Sequence, residues 1–459
     1  MAKYSIDMRL DRLLANEKAA AALEEIIPGL AARAAGQAQI AGLSPRKVME
    51  YSKGAYPEAL LELLEKRLLA IPGEDDRVMG EMFRQMSPTM HAAEILKEPA
   101  RPAFYPGRVW RDTDGRRIQA HAGGLIYEDG TYYWYGENKE KTDGRCTVWT
   151  YGIRAYSSKD LYNWKSEGLL IPPNLEDAES DLWPEKYVDR PHIIKCGYTG
   201  KYVCWLKLSG NQSYFTVLQS DRFQGPYTVA VERYQPFGIQ VGDFDLIKDE
   251  DGRCYLFVEA DHDRVVGMEL SEDYLQAVRQ VSSQYDGLHA PFCREGVALL
   301  ERRGIRYMLT SGMSGYIPNE SDCAFSANWD EPFVHVGNPH VRDSTHASFN
   351  SQISQVFKVP GKKDLYIALA DRWVPGYPMD ARRTDLFRRA IASRYEPERY
   401  HVTEEELAEW QQRPATEATD TSVSDYVWLP LRFEEPTAEN PGGKVLIDWL
   451  DEWRIEDYE

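Results

Sequence analysis

Residues 129–135 read Asp-Gly-Thr-Tyr-Tyr-Trp-Tyr, a turn glycine followed by a run of aromatic residues. The same phrase, a Gly or Lys turn before a strand rich in Tyr, Leu, Val and Ile, returns four times, at residues 199–205, 251–257, 303–309 and 361–367. Successive turn glycines lie 70, 52, 52 and 57 residues apart. Glycine supplies the positive φ of a tight hairpin turn, and aromatic and β-branched residues suit a half-buried strand. A hairpin repeat of this period predicts a β-propeller.

A second signal marks the later part of most repeats. It is a polar bend that follows another short strand, at residues 156–161, 218–221, 269–274 and 325–329. Each repeat therefore predicts a blade of about four short antiparallel strands, and residues 104–400 are long enough for five blades. A β-sandwich is the alternative, but sandwiches seldom repeat a turn-plus-aromatic phrase at an even interval. The expected fold class is an all-β five-bladed β-propeller with a small N-terminal α-helical domain.

The first hundred residues follow a different pattern. Leucine and isoleucine recur there at helical spacing, and the pattern is broken at Pro28-Gly29, Pro57 and Pro72-Gly73. We expect residues 1–100 to form a helical module for packing or dimerisation, with a linker near residues 73–104.

The rest of the chain divides in two. We expect the propeller to occupy residues 101–400. Strand-like segments at 426–431 and 445–450 predict that residues 401–459 return to close or cover the propeller.

Composition limits the classes of partner. The chain has 459 residues, 43% of them apolar, and a formal net charge of −19. Nucleic acid and anionic membrane surfaces repel such a charge, so we expect neither as a partner. No segment approaches the run of about 18 apolar residues that spans a membrane, and residues 1–12 lack a signal-peptide core, which predicts a cytoplasmic protein. The six cysteines show no metal-like spacing and are expected to be buried thiols.

Polar residues stand at matched places in the repeats, next to the apolar runs. One set, spaced one to a blade, consists of Glu137, Asp189, Asp243, Glu295 and Gln352. The innermost strands of a propeller line its channel, so these side chains should converge there. A carboxyl group crowded by carboxylates in a partly desolvated pocket has a raised pKa and can act as a general acid. Hydrolysis of a glycosidic bond needs such an acid, together with a group that orients or deprotonates water.

Several of these phrases together resemble a known family. They are Ala-His-Ala-Gly-Gly at 120–124, Tyr-Tyr-Trp-Tyr-Gly-Glu-Asn at 132–138, Asp189-Arg190-Pro191, Arg294-Glu295, residues 310–319, Asn350-Ser351-Gln352 and Asp371-Arg372-Trp373. In this order, over residues 104–455, they resemble glycoside hydrolase family 43, and most closely its exo-β-1,3-galactanase branch, subfamily 24. The resemblance implies five blades around a pocket that works by inversion.

The resemblance also implies catalytic roles. Glu295 would be the general acid, and Asp243 would tune its pKa. Most of the family takes its general base from an Asp at the start of the first blade, but residues 120–122 read Ala-His-Ala here. The galactanase branch shares that absence and is thought to use a fifth-blade Gln, here Gln352, to position the water. Inversion would then separate the Glu295 carboxyl group from Gln352 by about 6.5–9.5 Å. Gly296-Val297 follows the acid where the family usually has Ala-Pro. This difference should give the backbone after the acid more conformational freedom.

Further residues would bind the sugar. The counterparts of Glu137 and Asp189 bind sugar hydroxyls in the family, and both residues are rival candidates for activating water. Asp189 and Asp286 stand where the branch usually carries Glu. Because the Asp side chain is shorter, the subsite for the terminal sugar would be shifted. The other residues expected to bind substrate are His121, Tyr214, Tyr316, Asn350 and Trp373.

The resemblance bears on metal binding as well. Some relatives hold a calcium ion in the channel, and His121 and His346 are the residues that would face it here. A lone histidine is more often a hydrogen-bonded structural residue, so we predict no metal ligand and no required cofactor, with structural calcium as the alternative.

The expected function is the inverting, exo-acting removal of a terminal β-linked galactose from short oligosaccharides. Within the same family the alternatives are α-L-arabinofuranosidase and β-xylosidase activity. A non-catalytic sugar-binding propeller is an alternative of a different class, suggested by the missing first-blade Asp and the neutral Gln352. The expected partner is an oligosaccharide substrate, and the helical module leaves room for a homo-oligomer.

Overall fold

The five repeated phrases form equivalent turns in the computed structural model, which describes residues 4–36, 38–52, 57–73, 75–210 and 212–459. Each phrase is the turn between the first and second strands of an antiparallel sheet. All five turn glycines have φ between 72° and 86°, a conformation that glycine adopts without steric cost. The polar bends of the first four repeats join the third and fourth strands of their sheets. The predicted five-bladed propeller is thereby confirmed.

The blades follow one another along the chain, and their strands pair in chain order from the inside outward. Blades 1 and 2 contain β1 (His121–Glu128), β2 (Thr131–Glu137), β3 (Ile153–Ser158) and β4 (Lys165–Ile171), then β5 (Tyr187–Lys195), β6 (Tyr202–Ser209), β7 (Tyr214–Ser220) and β8 (Thr228–Tyr234). Blades 3 and 4 contain β9 (Val241–Lys248), β10 (Cys254–Ala260), β11 (Arg264–Leu270) and β12 (Ala277–Gln284), then β13 (Arg294–Arg302), β14 (Ile305–Gly312), β15 (Ser321–Ser326) and β16 (Val334–Gly337). Blade 5 begins with β17 (Gln352–Lys358) and β18 (Tyr366–Arg372).

The first strands of the blades form a closed ring. β1 contacts β5, β5 contacts β9, β9 contacts β13, β13 contacts β17, and β17 contacts β1. Because neighbouring strands of a blade are antiparallel, the starts of the first strands and the ends of the second strands lie on the same face of the ring. Every residue of the predicted set lies at one of these strand ends.

The described part of the chain before the propeller contains eight helices. They are α1 (Leu10–Leu14), α2 (Glu17–Ile26), α3 (Leu30–Gly36), α4 (Ala38–Ala41), α5 (Pro45–Tyr51), α6 (Glu58–Leu69), α7 (Asp76–Gln85) and α8 (Met90–Ala93). Five of the leucines that recur at helical spacing are fully buried in one core, namely Leu10, Leu13, Leu23, Leu64 and Leu68, whereas Leu63 and Leu69 of the same pattern are each 48% exposed. None of the helices in the described residues is long and apolar enough to cross a membrane.

The segment expected to be a linker, residues 73–104, holds α7 and α8 instead. α7 packs directly on the propeller: the rings of Phe83 and Trp183 meet edge to face with centroids 5.4 Å apart. A Cβ atom on Gly80 would lie only 1.8 Å from the carbonyl oxygen of Leu175. The helix backbone therefore touches the loop that leads into β5, and glycine permits this close approach.

The C-terminal segment completes blade 5. β19 (Asp425–Tyr426) and β20 (Leu429–Glu434) pair with β18, and β21 (Lys444–Ile447) pairs with β20. The propeller therefore extends beyond the expected boundary at residue 400, because an unpaired edge of β18 would otherwise be exposed. Two helices that the strand pattern did not predict, α9 (Ala381–Ala392) and α10 (Glu404–Gln411), lie between β18 and β19.

An aromatic cluster joins blade 5 to blade 1. The ring centroid of Trp428, just before β20, lies 4.4 Å from that of Trp134 in β2 and 5.0 Å from that of Trp110. Phe104 stacks on Trp453 with centroids 4.1 Å apart and completes the cluster. Since buried aromatic side chains contribute large apolar areas, this cluster holds the two chain ends of the ring together.

We expect Trp428→Ala to lower the free energy of unfolding by about 3–5 kcal/mol, because it leaves a cavity in this cluster. Trp449→Ala is the matched control, since Trp449 is 37% exposed and its loss should cost at most about 1 kcal/mol. Urea unfolding monitored by circular dichroism measures both changes. Equal losses in the two variants would contradict a closing role for the cluster.

Candidate active site

The first hairpin of every blade is irregular close to the same face of the ring. The register shifts between His121 and Gly124, between Asp189 and His192, opposite the pair Val258 and Ala260, between Glu295 and Ala298, and between Ile353 and Gln355. A β-bulge bends its strand and aims a side chain differently from a regular ladder. These bulges therefore direct polar residues at the strand ends toward the axis of the ring.

The five residues of the predicted set meet in one pocket. Glu137, Asp189, Asp243, Glu295 and Gln352 all line a space of about 190 Å³ on that face. Glu137 and Asp243 form part of a buried floor. The phase of the repeats thus identified residues that are up to 215 positions apart in the sequence but neighbours in the fold.

Asp243 is held by two cations, the buried Arg190 and the partly buried Lys207. Its Oδ2 lies 2.8 Å from Nη2 of Arg190, and its Oδ1 accepts a hydrogen bond of 2.8 Å from Nζ of Lys207. The backbone N–H of Gly296 donates to Oδ2 at 3.0 Å. Burial opposes ionisation of Asp243, but the two cations and these hydrogen bonds lower its pKa below the ordinary value. Asp243 is therefore a permanent negative charge in the pocket.

Glu295, in contrast to Asp243, is an acid that keeps its proton. Burial and the charge of Asp243 raise its pKa to about 8, although Lys207 and Arg190 act against this rise. A carboxyl group with this pKa keeps its proton at neutral pH and can donate it to a leaving group. Two carboxyl groups in one pocket are thus separated into an anion and an acid.

The amide orientation of Gln352 follows from its neighbours. Nη2 of Arg190 donates to Oε1 of Gln352, and Arg190 has no acceptor, so the amide oxygen must face it. Nε2 then donates to Oε1 of Glu295 at 3.1 Å and to Oγ of Ser311 at 2.9 Å. Because Oε1 of Glu295 accepts this bond, the acidic proton belongs on Oε2.

The expected separation of Glu295 and Gln352 is therefore wrong. Instead of about 6.5–9.5 Å, the two side chains are in direct contact at 3.1 Å. The physical reason is that β13 and β17 are adjacent in the ring, so their first residues lie side by side rather than across the pocket. Gly296 permits the contact, since it has φ of 61° and a Cβ there would lie 3.1 Å from Cγ of Gln352.

Glu137 and Asp189 form another wall of the pocket. Glu137 accepts a hydrogen bond of 2.9 Å from the backbone N–H of Arg190 and lies 2.7 Å from Nζ of Lys139. Burial raises the pKa of Glu137 to about 7, and Lys139 opposes the rise. Asp189 accepts hydrogen bonds of 2.6 Å from Nε1 of Trp149 and 2.7 Å from Oγ of Ser209. Both carboxyl groups have further lone pairs that can accept hydrogen bonds from hydroxyls of a ligand.

Aromatic rings surround the mouth of the pocket. Tyr316 and Trp373, which were expected to bind substrate, both line it, and their ring centroids are 4.7 Å apart. Trp149 stacks on Tyr316 with centroids 6.0 Å apart. These rings offer apolar faces beside the polar floor.

Besides His121, three residues expected to bind substrate do not line this pocket. Asp286 is exposed after β12, where it accepts a hydrogen bond from Ser283, and it does not line the pocket. Tyr214 donates to Asp181 at 2.8 Å and faces a neighbouring cavity. The side-chain oxygen of Asn350 is used by the backbone N–H of Met379. Each of them follows a bend whose direction the local sequence does not reveal.

The two histidines expected near a channel ion lie in different environments. His121 is buried, with Nδ1 3.0 Å from Oδ1 of Asp371, and its ring stacks on Tyr426. His346 is 58% exposed and lies 3.2 Å from a carboxylate oxygen of Glu320. Among the described residues, no three His, Cys, Asp or Glu side chains are grouped in a way that could hold a metal ion. His121 does not line the sugar-sized pocket.

Several pocket residues were not singled out by the sequence. Lys207 is one, although a lysine inside the apolar strand β6, directly opposite Asp189, is a recognisable signal. Arg190 was part of a quoted motif without a role of its own. Trp149 lies in a connection without regular structure, and nothing local distinguishes it from a core tryptophan.

A family model described as glycosyl hydrolases family 43 matches residues 117–390, which is more than half of the chain. This chain belongs to glycosyl hydrolase family 43. No curated protein sequence is significantly similar to it.

Solved structures of family 43 proteins share the fold. A family 43 β-1,3-galactosidase is 27% identical, covering 78% of this chain and 64% of its own, with a TM-score of 0.60. A second one, solved with galactodeoxynojirimycin, is 25% identical, covering 77% of this chain and 100% of its own, with a TM-score of 0.59. An exo-β-1,3-galactanase from Clostridium thermocellum is 22% identical, covering 76% and 66%, with a TM-score of 0.58. The chain therefore spans about two thirds of the length of the first galactosidase and of the galactanase. The resemblance to the galactanase branch is confirmed.

We expect Asp243→Asn to lower the pKa of Glu295 by about 1–3 units. The substitution removes the negative charge that raises this pKa and leaves Arg190 and Lys207, which lower it. Titration of ¹³C-labelled glutamate carboxyl groups, with Glu295→Gln used to assign the signal, measures the change. Asp286→Asn, which removes an exposed acid outside the pocket, is the control and should leave this pKa unchanged. A higher pKa in Asp243→Asn would refute the electrostatic coupling.

Proposed function

We propose that this family 43 member is an inverting exo-glycosidase that removes terminal β-1,3-linked galactose from oligosaccharides. The observation that carries the proposal is the partly buried acid Glu295, whose pKa is raised to about 8 beside the permanently charged Asp243 in a pocket of about 190 Å³. The branch resemblance and the β-1,3-galactosidase activity of two solved relatives support galactose as the sugar. The expected cytoplasmic location remains a prediction.

The size of the pocket supports exo action. Its volume of about 190 Å³ is below the roughly 300–1,000 Å³ of sites for drug-sized ligands. One sugar unit is therefore the ligand that suits it. Asp189 would hold hydroxyl groups of that sugar, and Trp373 and Tyr316 would face its ring.

The proton comes from Glu295. Since Gln352 donates to Oε1, Oε2 carries the proton and transfers it to the glycosidic oxygen as the bond to the anomeric carbon breaks. The charge of Asp243 keeps the proton on Glu295 until that moment. Gln352 therefore acts in this scheme by holding the acid, rather than by positioning water.

The attacking water needs a base on the opposite side of the sugar. Blades 1 and 4 are not adjacent in the ring, so Glu137 is not a direct neighbour of Glu295 in the way that Gln352 is. A pKa of about 7 suits a general base that works at neutral pH. We assign the water-activating role to Glu137, with Asp189 as the neighbouring hydroxyl ligand.

The substrate is tested with aryl glycosides of galactose, arabinofuranose and xylose, together with β-1,3-galactobiose. We expect release of galactose alone, first as the α-anomer by NMR, and a loss of about 10²–10⁴-fold in kcat for Glu295→Gln on galactobiose. The loss should be much smaller on 2,4-dinitrophenyl β-galactoside, whose leaving group needs no proton. Full activity of Glu295→Gln on galactobiose would contradict the assignment. Sugar binding without any product from the wild type would indicate the non-catalytic alternative.

The role of Gln352 is tested by the same pair of substrates. If Gln352 holds the acid, Gln352→Ala loses more activity on galactobiose than on the dinitrophenyl galactoside, as Glu295→Gln does. A group that positions water is needed equally for both substrates. Equal losses in kcat would therefore show that Gln352 positions the attacking water, as the family resemblance implies. The ratio of the two losses is the measured quantity.

A further inference from the structure

A groove leads outward from the pocket along the helical module. A cavity of about 1,090 Å³ lies between the module and blade 2, and it shares Lys47, Tyr187 and Ser209 with the pocket of about 190 Å³. The two spaces therefore adjoin at these three residues. The smaller space suits one sugar unit, whereas the larger one has room for several.

The module is a fixed wall of this groove. Nε of Arg12 in α1 lies 3.6 Å from Oε1 of Glu185 on the propeller, and its Nη2 lies 2.8 Å from Sδ of Met79 in α7. The side chain of Arg9 is 11% exposed and lines a small cavity with Trp149 and Tyr316. The module thus supports the aromatic rings at the mouth of the pocket and is itself held by α7.

Lys47 is the point where the module reaches the pocket. It lies in α5, and its Nζ is 5.5 Å from the centre of the Tyr187 ring. Tyr187 packs edge to face on Trp149 with centroids 4.7 Å apart, and Trp149 donates to Asp189. Three successive contacts therefore connect the helical module to the carboxylate that would hold the terminal sugar.

The chemistry of the groove fits sugar units. Its walls combine hydrogen-bonding side chains, such as Ser44, Arg46 and Gln212, with the aromatic rings of Trp183 and Tyr187. Saccharides present hydroxyl groups at their edges and C–H groups on their faces, so they need both kinds of contact. The match to family 43 begins at residue 117, after the last helix of the module, so one side of the groove is formed by residues outside that match.

We propose that this groove binds the leaving-group sugars, and that the helical module makes the protein selective for oligosaccharides of three or more units. The proposal rests on the proposed function, since the pocket must hold the terminal galactose while the groove holds the rest. Lys47 contacts the first leaving-group sugar as a cationic hydrogen-bond donor. The module is then part of the binding site rather than only a packing domain.

The test compares kcat/KM on β-1,3-galactobiose, galactotriose and galactotetraose with kcat/KM on 4-nitrophenyl β-galactoside. For the wild type we expect kcat/KM to rise with chain length. Lys47→Ala should lower it on the tetraose about tenfold more than on the aryl galactoside, because a charged hydrogen bond is lost only where a sugar occupies the groove. Lys47→Arg keeps the cation and should recover most of the loss.

Lys66→Ala is the matched control, because it removes the same charge from an exposed position on α6. It should change none of the four values. Equal losses of Lys47→Ala on all substrates, or no loss on any, would overturn the groove proposal while the wild type still hydrolyses galactosides. Failure of the wild type to hydrolyse any of them would instead overturn the proposed function.

Discussion

The pocket depends on one buried arginine that belongs to blade 2 and reaches three other blades. Its backbone N–H donates to Glu137 of blade 1, its guanidinium lies 2.8 Å from Asp243 of blade 3, and the same group donates to Gln352 of blade 5. Arg190 has φ of 50° at the bulge of β5, and this unusual backbone conformation turns the side chain toward the axis. A buried charge that loses its partner is strongly destabilising. The position of each acidic group in the pocket is therefore tied to that of the others.

This network explains how the same pocket can hold an acid and an anion. Arg190 and Lys207 stabilise Asp243 as a carboxylate, and its charge in turn opposes ionisation of Glu295. The separation follows from the two cations that contact Asp243, whereas Glu295 is partly buried and faces the negative charge of Asp243. General acid catalysis at neutral pH requires such a separation. The β-bulges of the first strands supply the geometry, because a regular ladder would direct alternate side chains into the blade interfaces.

The helical module gives the family fold an added surface. α7 is fixed against the loop before β5 by the close contact of Gly80 with Leu175 and by the ring pair of Phe83 and Trp183. A wall attached in this way adds little freedom of its own, so its side chains can contribute to recognition without a large entropic cost on binding. Under the proposed function, the pocket would determine which sugar is cleaved, and the wall would determine what that sugar is cleaved from.

The local sequence pattern was sufficient to predict the propeller, the helical character of the first hundred residues and the matched positions of the polar residues in the repeats. Hairpin turns, helix periodicity and the alternation of a strand depend on residues a few positions apart, so the sequence alone predicts them. It placed Glu137, Asp189, Asp243, Glu295 and Gln352 at equivalent strand ends. The tertiary structure alone decided that β20 and β21 complete blade 5 rather than cover the propeller, that Asp286 faces solvent, and that Gln352 touches Glu295. These outcomes depend on which blades become neighbours when the ring closes and on how residues far apart in sequence pack, and no local pattern carries that information.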